Sequence, residues 1–238
     1  MKLVTPEAVN NYLQNDITLH RLEKASSIVD ADFVCEKWLR ESQAKRCVLE
    51  ELYGEIFAST RRLRILDIGG GLTSLTAGLA IQHDYTLVDL LAHENEHKTR
   101  VITQAAGRNF IVASDWATLL ESQYDIILAN DLFPNVDQRL QLFLNFMLPQ
   151  TCRIKMSLTW YGKPRYYLTK RVDAEEIFCM LAWDSSQLRR VLSQFKTKIL
   201  HPDFEILKEQ RVSPYPNERQ VCTVEFIGKL GVNNYEKQ

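Results

Sequence analysis

Three consecutive glycines, Gly69, Gly70 and Gly71, follow an apolar run that contains one acid, as LDIGGG over residues 66–71. Glycine carries no Cβ, so such a run bends tightly and lets a ligand approach the peptide planes without meeting side chains. Nicotinamide, flavin, nucleotide and sulfonium ligands are all bound on turns of this kind, and the glycines alone do not separate them. Asp67 does, because a carboxylate two residues before the first glycine repels a pyrophosphate and attracts an ammonium group. The third glycine of a dinucleotide fingerprint would fall at Ser74 and is missing. Further polar residues close later apolar runs: Asp89 and Leu90 end YTLVDL, Asp115 and Trp116 end NFIVASDW, and Asn130 and Asp131 end YDIILAND.

Two other clusters could do chemistry. In TWYGKPRYYLTKR, residues 159–171, Trp160, Tyr161, Tyr166 and Tyr167 interleave with Lys163, Arg165, Lys170 and Arg171. Aromatic faces beside cations suit a ring-bearing or sugar-like acceptor with an anionic group, and also single-stranded nucleic acid. Asp173, Glu175 and Glu176 follow at once, which makes a long basic track for RNA a poor reading. HENEH, His93 to His97, matches the H-E-x-x-H pair of helical zinc sites. Its polar flanks suit a solvated helix face better than a buried metal helix, so no metal is expected.

The elements that must hold these residues change character near residue 60. Ahead of it no strand is convincing. Thr5, Pro6 and Glu7 read as a helix start, with a hydroxyl cap, a proline in the first turn and an early acid. A second helical stretch runs from about Asp32 to Phe57 and could break within RESQAKR. From Leu63 short β-rich runs alternate with helical ones: LRILDI, YTLVDL, NFIVAS, YDIILAN and RIKMSLTW. Several are apolar nearly throughout, the habit of strands covered on both faces. The expected fold is α/β, a doubly wound and mostly parallel sheet. Residues 1–60 form a helical lid or oligomerisation segment and 61–238 the main domain. SSQLRRVLSQF reads as a late helix, and FEILKEQRV and CTVEFIGKL as two final strands.

With Asp67, Gly69 and Gly71 as D-x-G-x-G and acids at the following strand ends, residues 63 to about 160 resemble the class I S-adenosylmethionine-dependent methyltransferases. The resemblance implies a seven-stranded sheet with a C-terminal antiparallel hairpin, and S-adenosylmethionine as cofactor, leaving as S-adenosylhomocysteine. It implies that Asp67 and the three glycines hold the cofactor's amino acid end. Asp89, with Leu90, would take the ribose hydroxyls, Asp115 and Trp116 the adenine, and Asn130 the lip of the cleft. The family often has a further glycine where this chain has Thr73. By position Asp131 is the candidate general base, and Trp160, Tyr161 and Arg165 the candidate acceptor contacts. Leu132, Phe133 and Pro134 follow Asp131 in place of the Pro-Pro-aromatic run that marks amino-group methylation of nucleobases or glutamine. The expected reaction is therefore in-line methyl transfer to a hydroxyl or amine of a small molecule or glycan precursor. A nicotinamide-dependent oxidoreductase and a non-catalytic cofactor-binding regulator are the alternatives.

Composition limits the partners. The 238 residues are 45% hydrophobic and 25% charged, and 29 Lys plus Arg nearly balance 30 Asp plus Glu. No global field draws the chain to nucleic acid or an anionic membrane. Five scattered cysteines without a C-x-x-C pair suit a reduced, cytoplasmic compartment. The N-terminus turns polar early and no apolar run approaches the ~20 residues of a membrane span. A homodimer is compatible with the N-terminal helices.

Overall fold

The structure is a computed structural model and describes residues 1–25, 27, 29, 31–170, 177–208 and 211–231. In chain order it runs β1 (Lys2–Leu3), α1 (Pro6–Leu13), α2 (Ile17–Ala25), α3 (Val34–Glu41), α4 (Gln43–Ala58), β2 (Arg64–Ile68), α5 (Ser74–Gln82), β3 (Asp84–Val88), α6 (Glu96–Ala105) and β4 (Ile111–Val112). It continues with β5 (Tyr124–Phe133), α7 (Leu140–Met147), β6 (Thr151–Trp160), β7 (Arg165–Lys170), β8 (Ile177–Ala182), α8 (Ser185–Gln194) and β9 (Gln220–Ile227).

Seven strands form one sheet in the order β1-β9-β6-β5-β2-β3-β4. The five from β4 to β6 are mutually parallel, and β9 runs antiparallel to β6. The pattern of β2 explains why the sheet is covered twice. Leu66 and Ile68 pack into the cluster that holds α7 and α8, while Ile65 packs into the one that holds α4 and α5. Alternating residues of one strand thus feed two cores, as a doubly wound sheet requires. The chain reverses between β2 and β5, which are adjacent in the sheet but separated by α5, β3, α6 and β4. Ligands of open α/β sheets bind beyond the strand ends at such a point.

Local signals fixed several boundaries. The Thr5 hydroxyl accepts from Ala8 N and caps α1, with Pro6 in its first turn. The long helical stretch breaks at Ser42, which ends α3 and accepts from Lys45 N to start α4. Thr73 and Thr76 cap α5 reciprocally, which gives the residue standing in the place of a family glycine a use of its own.

The hairpin and the sheet edge differ from expectation. FEILKEQRV forms no strand among its described residues: Glu205–Leu207 is a 3₁₀ turn that buries Ile206 and Leu207, and residues 209 and 210 lie outside the described set. The antiparallel hairpin is β7–β8, ahead of α8. The outer neighbour of β9 is the N-terminal β1, paired through Lys2 with Thr223 and Leu3 with Cys222. Two residues carry no periodicity, so this strand is invisible to pattern reading. No helix among the described residues is long and apolar enough to cross a membrane.

Candidate active site

A cleft of about 810 Å³ opens over the carboxyl ends of β2, β3 and β5, within the usual range of about 300–1,000 Å³ for small-molecule sites. Gly69, Gly70, Asp89, Leu90, Asp115, Trp116, Asn130, Asp131 and Tyr161 all reach its wall. Trp38 and Tyr53, from helices ahead of the first parallel strand, line it too.

The turn is conformationally committed. Gly69 has φ +69° and Gly71 φ +71°, values that side chains rarely tolerate. A Cβ on Gly71 would overlap Cys35 of α3, and one on Gly70 would overlap the Asp67 carboxylate. Asp67 accordingly lies beneath the turn and is not part of the cleft wall. It is fully buried, and its Oδ2 accepts from the hydroxyls of Tyr53 (2.9 Å) and Tyr85 (2.7 Å). Its Oδ1 is buried without a hydrogen-bond partner among the described residues. Burial pushes its pKa up to about 7, against the two tyrosine donors and with help from the charge of Asp89.

The N-terminus of α5 does not offer its amides to the cleft. Glu36 of α3 accepts from Ser74 N (2.8 Å) and Ser74 Oγ (2.6 Å), and Thr73 and Thr76 satisfy each other's backbone. Burial works to raise the Glu36 pKa, but these donors and Arg40 bring it below the usual value. A buried side chain from the N-terminal segment thus fills this helix end.

Asp89 projects from the end of β3. Its Oδ2 accepts from Gly71 N (3.2 Å) and its Oδ1 from Leu91 N (2.7 Å), so carboxylate and glycine turn are held together. Leu90 beside it is 65% exposed. Asp115 accepts from Ala117 N (2.8 Å) and pairs with Arg139 (2.8 Å). Its burial favours a raised pKa, but Arg139 and the Ala117 amide outweigh that and lower it. Trp116 is buried, edge-on to Phe133 and Phe143, with its Nε1 donating to Asp137. It is a core aromatic that also reaches the wall.

Asp131 sits where the β5–β6 register shifts, at φ +55°, a sparsely populated backbone position for a non-glycine residue. Ser157 stitches this point, accepting from Asp131 N (2.8 Å) and donating to Asn130 Oδ1 (2.9 Å). Arg219 grips the Asp131 carboxylate with two nitrogens (2.7 and 3.1 Å), and Lys45 Nζ adds a third donor (3.2 Å). Burial would raise the Asp131 pKa, but the two cations overcome it and hold the group at about 2. A base works best with a pKa near the working pH, so a carboxylate spent on two cations is poorly suited to take a proton. In this arrangement the expected general base instead orders Arg219 and Lys45.

Of the acceptor candidates only Tyr161 lines the cleft. Trp160 is 2% exposed and packs with Ile154, Met156 and Leu158, the same-parity residues of β6, in the sheet core. Arg165 lies outside the wall, over the rings of Tyr161 and Tyr167 at 5.7 Å from each. Arg171, Asp173, Glu175 and Glu176 lie outside the described residues. Sequence reading missed Lys45, Arg219 and Tyr215, whose ring lies 4.3 Å from the Arg219 guanidinium carbon.

HENEH is not a metal helix. Asn95 caps α6, which places His93 before the helix and His97 in its first turn, so the imidazoles do not share a helical face. His93 packs edge-on to Trp38 at 4.8 Å, and Glu94 accepts from Val34 N (2.9 Å), tying this loop to α3. Among the described residues no group of three His, Cys, Asp or Glu is arranged to hold a metal.

No protein-family model matches the chain, and no curated protein matches it. Solved structures do. A Burkholderia thailandensis 1,6-didemethyltoxoflavin-N1-methyltransferase with bound 1,6-didemethyltoxoflavin and S-adenosylhomocysteine is 18% identical at TM-score 0.51, over 95% of this chain and 92% of that one. The N-terminal domain of EvdMO1 with SAH bound is 18% identical at TM-score 0.50, over 76% of this chain and 79% of that one. At this identity the likeness shows the fold, which is that of the class I methyltransferases.

Proposed function

We propose that the chain is an S-adenosylmethionine-dependent methyltransferase acting on a hydroxyl or amine of a small molecule. The observation that carries this reading is the convergence of the glycine turn, Asp89 and Asp115, from three successive parallel strand ends, on one cleft of suitable size. The donor set fits the cofactor. Asp89 is a part-buried acceptor for ribose hydroxyls at the cleft wall, Asp115 an acceptor for an amino group, and the unpartnered Oδ1 of Asp67, on a carboxyl that burial holds at a pKa of about 7, lies under the turn as an acceptor whose ionisation a nearby ammonium would favour. A Cβ at Gly70 or Gly71 would disturb that turn. The two solved structures named above hold S-adenosylhomocysteine, and one also holds 1,6-didemethyltoxoflavin.

The bound cofactor supplies a methyl group on a positively charged sulfur, already a strong electrophile. The chain's contribution is alignment, which can be worth about 7–11 kcal/mol. Gly69 and Gly70 bring backbone against the amino acid end, Asp89 fixes the ribose, and Asp115 with the Trp116 edge orients the base. α3, carrying Cys35 against Gly71 and Glu36 on Ser74, closes the site from the N-terminal side and limits water. Asp131 holds Arg219 and Lys45 facing the acceptor. Incubation of purified protein with radiolabelled S-adenosylmethionine and a panel of small hydroxyl and amine acceptors tests the reading; failure to label any acceptor, together with no protection of the donor site by S-adenosylhomocysteine, would contradict it.

A further inference from the structure

The cleft is electrically polarised along its length. At the glycine end its wall carries Asp89, Asp115 and Asp137 against one guanidinium, Arg139. At the other end it carries Lys45 and Arg219 against one carboxylate, Asp131. The first end is net negative and suits a cationic ligand; the second is net positive, and aromatic rings enclose it. Trp38 lies 5.2 Å from Lys45 Nζ, Tyr215 lies against Arg219, and Tyr161 and Tyr167 stand with their hydroxyls 3.5 Å apart. Met180 completes this wall from β8.

The two cations are not equally spent. Arg219 is 7% exposed and gives two nitrogens to Asp131, while its Nε is buried without a hydrogen-bond partner among the described residues. Lys45 is reachable, with a 30% exposed side chain and a single long contact to Asp131, whose charge Arg219 already neutralises. Lys45 and Trp38 also wall a second groove of about 740 Å³, between α1 and the loop holding Pro214 and Pro216. The ammonium can therefore turn from Asp131 to another anion at little cost, since Asp131 keeps its bidentate partner.

Resting on the methyltransferase reading, we propose that the acceptor is a flat aromatic acid, its ring held among Trp38, Tyr161 and Tyr215 and its anionic group paired with Lys45. The aromatic walls select a ring by stacking, and the surplus positive charge selects against neutral and cationic rings. Lys45 is then the specificity-determining residue of the acceptor end.

The test measures binding of hydroxybenzoates and aminobenzoates, and of the matched benzamides, by saturation-transfer NMR on the full chain with and without S-adenosylhomocysteine. The acids are expected to bind about tenfold or more tightly than their amides, as for a hydrogen bond to a charged partner. Lys45→Met should remove that preference and Lys45→Arg should retain it, with S-adenosylhomocysteine affinity, measured by calorimetry, unchanged in both. Equal binding of acids and amides, a preference for amides or for ring cations, or a preference that survives Lys45→Met would overturn the assignment. If the acids bind selectively but S-adenosylhomocysteine does not bind, the acceptor site stands and the cofactor reading fails. The converse result removes this inference alone.

Discussion

The two ends of the cleft are built in different ways. At the glycine end each functional group sits at the end of its own strand, and its partners are nearer in sequence: Asp89 holds Leu91 and, 18 residues away, Gly71, and Asp115 holds Ala117 and, 24 residues away, Arg139. At the acceptor end the central carboxylate is bound by Lys45 and Arg219, which are 86 and 88 residues away. The first end is preorganised by local backbone geometry, and the second by an ion cluster that exists only when α4, β5 and β9 have met. The glycine end is therefore expected to govern chiefly cofactor affinity, and the acceptor end chiefly substrate choice, with the larger loss of stability when its ion cluster is broken.

The sharpest way to break this contrast is to remove Arg219. In Arg219→Met the Asp131 carboxylate keeps Lys45 and a long contact from Asn135 Nδ2, so the loss should lie toward the low end of the about 3–5 kcal/mol typical of stranding one partner of a buried pair. Urea unfolding should show that loss, and Asp131→Leu combined with Arg219→Met should recover most of it. Asp89→Ala is the counterpart at the other end. Two hydrogen bonds to a charged carboxylate are worth roughly 1.5–3 kcal/mol each, so affinity for S-adenosylhomocysteine should fall about a hundredfold or more in calorimetry, while Gly71 N and Leu91 N lose their acceptor and urea unfolding shows a smaller loss than in Arg219→Met.

Gly71→Ala should be costly for a different reason, backbone strain at φ +71° and overlap with Cys35, on the order of 1–3 kcal/mol. Thermal unfolding and cofactor titration should both register it.

Asp67 gives the glycine end a pH signature. Its folded pKa, about 7, lies above the unfolded carboxylate value, so between about pH 4 and 7 the folded chain binds a proton that the unfolded chain has released. Stability from this group is present at low pH and is lost as pH rises through 7, at up to about 1.4 kcal/mol per pH unit. The depressed pKa of His83, caused by burial, acts oppositely below about 6.5. The lowered carboxyl pKa of Asp131 matters only below about pH 4. The difference between the native chain and Asp67→Asn, measured by denaturant unfolding from pH 4 to 8, isolates the group; a pH-independent difference would contradict it. The smallest effect is expected for Arg165→Ala, which removes an exposed guanidinium stacked outside Tyr161 and Tyr167. Acceptor turnover should drop by less than about fivefold, as for an exposed cation–π contact.

What could be read from the chain follows the same division. A strand end after an apolar run is a local pattern, so Gly69 to Gly71, Asp89, Asp115 and Asn130 were found, and each reaches the cleft apart from Gly71, which lies behind it against Cys35. Arg219 carries no local mark because its partner lies far off in sequence. Trp160 was misplaced although its parity gave it away: Ile154, Met156, Leu158 and Trp160 fall two residues apart on one face of β6, and only Tyr161, the next residue, turns to the cleft. The residues that hold the Asp131 carboxylate, Lys45 and Arg219, lie too far off in sequence for a local pattern to pair them with it. β1 and β4 are two residues each, too short for a period to show.

A methyltransferase must accept an adenosyl sulfonium ligand at the glycine end of this cleft. Titration calorimetry of the full chain with S-adenosylhomocysteine is the direct measurement. A single-site isotherm that Asp89→Ala weakens about a hundredfold or more is the expected result; silence with that compound beside clear binding of NADH would contradict it.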